Sequence, residues 1–141
     1  MPDASAWRLA LPHTAAAVPM ARALVRSALT DTGPSADRDT AELLTAELVA
    51  NAVAHTTAGA PIELVVRTGA DGCRVEVHDS DPRPPHDLVA PPHEEHPDPW
   101  REHGRGLLLL RALSSACGHR PTARGKAVWF TVPARAAAAT A

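Results

Sequence analysis

The chain has 141 residues, 45% of them hydrophobic, and a formal net charge of -2. That length fits a single domain with a proper core, and the near-neutral charge gives nucleic acid or an anionic membrane no electrostatic hold on it. No apolar run reaches the ~20 residues of a membrane span, and two cysteines make no disulfide framework.

Residues 5–11 alternate apolar and polar up to Pro12 and predict a short first strand. Pro19 suits the first turn of a helix running to about Thr30, with Leu24, Val25, Ala28 and Leu29 buried. The turn at 31–35 follows, and Asp37 is placed to cap a second helix that ends near 56–59. Residues 61–67 and 73–79 predict an antiparallel hairpin about the Gly69–Gly72 turn, with Val75 and Val77 on one face and Arg74, Glu76 and His78 on the other.

Residues 80–103 change character, holding seven of the fourteen prolines and no apolar periodicity, so a long loop acting as a lid is expected there. His86, His93, His96 and His103 match no closed zinc pattern, and Cys is absent from the loop, so they are read as solvated. Leu107–Ala116 predicts an apolar helix. Strand residues at 120–122 and 127–132, joined by Arg124-Gly125-Lys126, predict a last hairpin, and residues 134–141 an Ala-rich tail. Strands in antiparallel hairpins with helices over one face describe an α+β fold, a two-layer α/β sandwich with a mixed, mainly antiparallel sheet. The domain is expected to span 1–133. Cys73 and Cys117 sit in apolar surroundings and are read as reduced core thiols of a cytoplasmic protein, with no signal peptide ahead of the first strand.

The chemistry concentrates on the second helix. Glu47, Asn51 and His55 recur every four residues and form a polar stripe on a largely apolar helix. A carboxylate and an amide one turn apart suit a hydrated Mg²⁺ and a positioned proton acceptor. Asp79 ends the hairpin. Gly104-Arg105-Gly106 opens a helix, where free N–H groups and the helix dipole favour phosphate.

This order of motifs resembles the GHKL family of ATP-binding domains, which includes gyrase, heat-shock chaperones, histidine kinases and anti-sigma-factor serine kinases. The resemblance covers about residues 5–133. It is carried by Glu47-x-x-x-Asn51 (the N box), Asp79 (the G1 box) and His103-Gly104-Arg105-Gly106-Leu107 (the G2 box). It implies that Asn51 coordinates Mg²⁺ and that Glu47 acts as general base or positions the accepting hydroxyl. It implies too that Asp79 accepts from the adenine amino group and that His103, Gly104, Arg105, Gly106 and Leu107 underlie the phosphates. The Glu-Leu-Val-x-Asn-Ala-Val-x-His helix and the Gly125-Lys126-Ala127-Val128-Trp129-Phe130 strand are similar to those of stand-alone anti-sigma-factor serine/threonine kinases.

The chain departs from the family pattern where Asp81 and Arg83 stand at glycine positions of the G1 turn, Asp81 beside the nucleotide, and where Ala127 replaces a threonine expected near the adenine. The resemblance implies ATP and Mg²⁺ as cofactors, an anti-anti-sigma (STAS-type) protein as substrate, a sigma factor as captive, and pairing as a homodimer. The alternative is a nucleotide-weak, non-catalytic module that only sequesters a partner.

Overall fold

The computed structural model describes residues 5–31, 37–56, 60–83 and 109–133. In chain order these form β1 (Ser5–Leu11), α1 (Ala17–Asp31), α2 (Arg38–His55), β2 (Ile62–Gly69), β3 (Gly72–Asp79), β4 (Ala116–Pro121) and β5 (Lys126–Pro133). The sheet order is β1-β2-β3-β5-β4, and every pairing is antiparallel. The expected sandwich is present, with a sheet that is wholly rather than mainly antiparallel among the described residues.

Alternation decides the faces. Leu64, Val66, Val75, Val77, Val128, Phe130 and Val132 point to one side of the sheet and pack with Ala21, Val25, Leu29, Leu44, Leu48 and Val49 of the two helices. Each such large side chain, fully buried, contributes about 1.5–3 kcal/mol. Asp37 caps α2 as expected, accepting from the Thr40 amide at 3.2 Å and the Thr40 hydroxyl at 3.0 Å. Arg26 grips Glu42 with two bonds, 2.8 and 3.2 Å, and so ties α1 to α2. Gly72 has φ 126, a conformation that only glycine adopts cheaply, and it closes the β2–β3 hairpin.

One element differs from expectation. Residues 109–113 are helical, but Ala116 opens β4 instead of ending a helix, and the strand runs to Pro121, not over 120–122. Ser114 Oγ donates back to the Leu110 carbonyl, and the Ser115 amide donates to Thr131 O at 2.8 Å. Those serines end the helix, and pairing with β5 then recruits Ala116, Cys117 and Gly118, which have little strand preference of their own. The residues expected as a lid beyond Arg83, and the Ala-rich tail, lie outside the described residues. No described helix is long and apolar enough to cross a membrane.

Candidate nucleotide site

The sheet topology gathers several chain segments at one end of the molecule. α2 ends at His55, the chain re-enters the sheet at Ile62, and Glu63 pairs with His78, one residue before Asp79. Asp79 pairs with Lys126, the first residue of β5. The C-terminal half of α2, the end of β3 and the start of β5 therefore share one end of the sheet, on its helix-covered side.

His13 holds that end together. Its ring nitrogens lie 2.9 Å from the Val53 carbonyl and 3.4 Å from that of Ala60. They bind the β1–α1 junction to the last turn of α2 and to the start of the β2 approach. His13 carried no sequence signal, because its partners are backbone atoms 40 and 47 residues away.

Asn51 turns its side chain inward. Its amide nitrogen is buried and has no hydrogen-bond partner among the described residues. A buried amide group left this way costs about 1–3 kcal/mol. An Asn amide offers either its oxygen or its nitrogen to the same space, and the oxygen is a fitting donor for Mg²⁺. Thr45 and Thr68 also carry unpartnered hydroxyls, Thr68 facing Cys73 at the other end of the β2–β3 ladder. Glu47, one turn before Asn51, is half-buried and makes no hydrogen bond or ion pair among the described residues.

Asp79 is held differently from the expected free acceptor. Lys126 Nζ lies 3.0 Å from each of its carboxylate oxygens, and the side chains of the pair are 3% and 9% exposed. The Asp81 amide donates to Asp79 Oδ1 at 2.9 Å, and Lys126 also donates to the Asp81 carbonyl at 3.1 Å. One ammonium thus staples the Asp79 side chain to the backbone of the turn that follows it. Lys126 is the only lysine in the chain. That rarity, together with its place at the start of β5, is the signal by which sequence reasoning could have found it.

Asp81 and Arg83, the two departures from glycine, are partners of each other. Arg83 donates through Nε and Nη2 to the Asp81 carboxylate at 3.1 and 2.9 Å, and through its backbone amide to Oδ1 at 2.9 Å. The Arg83 contacts hold the Asp81 carboxyl down at about 2. The charge that threatened to repel a nucleotide is thereby matched within the turn.

Ala127 lies opposite His78 and Arg120, on the outer face of the sheet, so its missing hydroxyl is not on the Asp79 side. His103, Gly104, Arg105, Gly106 and Leu107 lie outside the described residues, as do His86, His93 and His96. Among the described residues no group of three or more His, Cys, Asp and Glu is placed to hold a metal ion.

The β4–β5 turn presses on the same backbone. A Cβ at Gly125 would lie 2.2 Å from the Asp79 carbonyl oxygen and 2.6 Å from the Ser80 carbonyl carbon. Gly125→Ala is expected to lower stability by about 1–3 kcal/mol, as forced overpacking does. Urea unfolding measures it. An unchanged midpoint would show that the turn yields freely.

Asn51 on α2 and Asp79 at the end of β3 thus lie toward one end of the sheet. A comparison with curated proteins gives no match. A comparison with family models matches residues 11–132 to the histidine kinase-like ATPase domain, a span from the end of β1 to the end of β5 that takes in every element of the site. By that span the chain belongs to the histidine kinase-like ATPase domain family.

Proposed function

We propose that the protein is an ATP-binding serine/threonine kinase of the anti-sigma type. The buried Asn51 amide nitrogen, without a hydrogen-bond partner among the described residues, at the Asp79 end of the sheet carries this reading. Asn51 would hold Mg²⁺, which when bound offsets phosphate charge. Asp79 would accept from the adenine amino group, and Glu47, one turn away and without a partner among the described residues, would take the proton of an incoming hydroxyl. The hydroxyl would belong to a serine or threonine of an anti-anti-sigma partner, and a sigma factor would be the protein held in check. Pairing of two copies belongs to the same proposal.

The Lys126 contact favours a second reading. Asp79 already has an ionic partner, so a module that binds nucleotide weakly and acts by partner capture is also consistent with the site.

Calorimetric titration of Mg-ATP into the native chain and into Asn51→Ala decides between them. Binding in the micromolar to submillimolar range, weakened about tenfold or more by Asn51→Ala, supports the kinase reading, since one bond to a charged group is worth about 1.5–3 kcal/mol. Transfer of phosphate to a candidate partner, lost in Glu47→Gln with ATP affinity kept, then tests the chemistry. No heat up to millimolar ATP, with the fold intact, overturns the kinase reading and leaves the binding module.

A further inference from the structure

The outer face of the sheet, away from α1 and α2, carries charge that the candidate nucleotide site does not use. The register sets Glu63 beside His78, Arg67 beside Arg74, and Glu76 between Val65 and Trp129 on this face. Glu63 and Glu76 both have partners there: Arg8 reaches Glu63 at 3.0 Å, and Arg74, His78 and Arg120 surround Glu76. Arg67 is exposed and makes no hydrogen bond or ion pair among the described residues. Yet it stands directly across the β2–β3 ladder from Arg74, and like charges so placed repel each other. Arg74 gives Nε to Glu76 at 2.8 Å, and its terminal nitrogens have no acceptor among the described residues. Its Cζ lies 4.1 Å from the centre of the Trp129 ring. Trp129 in turn lies against Gly118, where a Cβ would come within 3.0 Å of the indole. The indole is thus a floor that holds the Arg74 fork flat, with its outer N–H groups unspent.

We propose that Arg67 and Arg74 form a docking site for an acidic segment of a partner protein, an extended stretch whose aspartate or glutamate carboxylates the two guanidinium forks take. A carboxylate set between the two arginines replaces their repulsion with charge-assisted bonds, and the planar fork of Arg matches it as the point charge of Lys does not. Charge selects this occupant. The face sets Arg8, Arg67, Arg74 and Arg120 against Glu63 and Glu76, whereas the whole chain has a formal net charge of -2. The attraction is therefore local, and it suits a short acidic segment better than a long polyanion such as nucleic acid. Ala6 and Ala116 end the row that runs through Arg67, Arg74 and Thr131, so the arginines stand above small neighbours at both edges. Arg67 and Arg74 lie toward the Gly69–Gly72 end of the hairpin, away from Asp79. Docking there needs no bound nucleotide and stands apart from the reading above.

The test is an NMR titration of the full chain at low salt with a decapeptide of alternating glutamate and serine, beside its glutamine counterpart. The glutamate peptide is expected to shift the amide signals of Arg67, Arg74 and Thr131 and the indole signal of Trp129 saturably. Its affinity should fall about tenfold in about 0.5 M salt, and the glutamine peptide should leave the signals in place. Arg67→Gln is expected to bind the glutamate peptide about fivefold or more weakly, yet to unfold in urea at the same or a higher midpoint, because it relieves the repulsion across the ladder. A merely structural Arg67 would do the reverse, with a lower midpoint and unchanged affinity. No saturable shift up to millimolar peptide overturns the proposal, as do shifts confined to the helices around Arg22, Arg26 and Arg38, equal affinity in Arg67→Gln, or equal binding of the glutamine peptide. Two other occupants would overturn it as well: single-stranded DNA that binds this face more tightly than the peptide, or a second copy of the chain, seen as a concentration-dependent dimer that moves these signals without peptide. Should Arg67→Gln not fold, the map on the wild-type chain decides alone.

Discussion

Asp79→Ala is expected to cost about 3–5 kcal/mol of folding stability, the usual penalty for stripping one partner from a buried ion pair. The Lys126 ammonium, with its side chain 9% exposed, would keep only the Asp81 carbonyl as an acceptor among the described residues. Lys126→Met should cost a comparable amount, because it leaves the Asp79 carboxylate in the same shelter with one backbone amide. The combined Asp79→Leu, Lys126→Met variant should recover most of the loss, since an apolar pair of similar volume needs no desolvation. Urea unfolding of the four proteins gives the coupling directly. Simple additivity of the two single losses would show that the pair is not a unit. The stability reading is separate from ligand binding, so a protein that unfolds early and a protein that has lost its base acceptor can be told apart.

Acid is expected to remove about 3 kcal/mol through Glu76 alone. This carboxylate sits on the outer face of the sheet, where its side chain is 4% exposed. Burial pushes its carboxyl up, but hydrogen bonds from Arg120, His78 and Arg74 outweigh that and hold it at about 2, against an ordinary value of 4.5. Arg120 reaches both oxygens at 3.1 and 3.2 Å, Arg74 one at 2.8 Å and His78 the other at 2.9 Å. A carboxyl that is more acidic folded than unfolded stabilises the fold above its unfolded value. That contribution is complete above about pH 5 and is lost as the pH falls towards 2. At about 1.4 kcal/mol for each pH unit between the two values, the total is about 3 kcal/mol. Urea midpoints from pH 6 to 2 should fall more steeply for the native chain than for Glu76→Gln. Parallel curves would show that the cluster contributes nothing through its charge.

Much of this architecture was legible because it is local. Val75 and Val77 against Arg74, Glu76 and His78 is a period of two, and the structure places those sets on opposite faces of β3. Asp37 could be read as a cap because its partner is three residues away. Within α2, Leu43 is 41% exposed while Leu44, Leu48 and Val49 are buried, so apolar residue type alone does not place a side chain in the core. β4 was illegible because Ala116, Cys117 and Gly118 acquire strand structure only from β5. In the candidate site, Asn51 and Asp79 could be singled out in the sequence by residue type and position. Lys126 did not announce its role, because its contact with Asp79 is a matter of sheet register between segments far apart in the chain. The Arg83 partnership of Asp81 was hidden for a different reason: a sequence shows two departures from glycine, and only geometry shows that they neutralise each other.

β3 and β5 are neighbours in the sheet, yet the paired ends Asp79 and Lys126 are 47 residues apart in sequence. Closing a loop of that size costs entropy that grows only with the logarithm of its length, so doubling or halving it changes stability by only about 0.6 kcal/mol. The Asp79–Lys126 contact sits at the neck of this loop and holds its two ends whatever the chain between them contains. By that entropy alone the length of the intervening segment matters little, whereas its composition matters where Leu110 enters the core, Ala116–Pro121 pair with β5 and Gly125 packs on Asp79. An added residue therefore costs far less in closure entropy than a change at the neck costs in lost ion pairing.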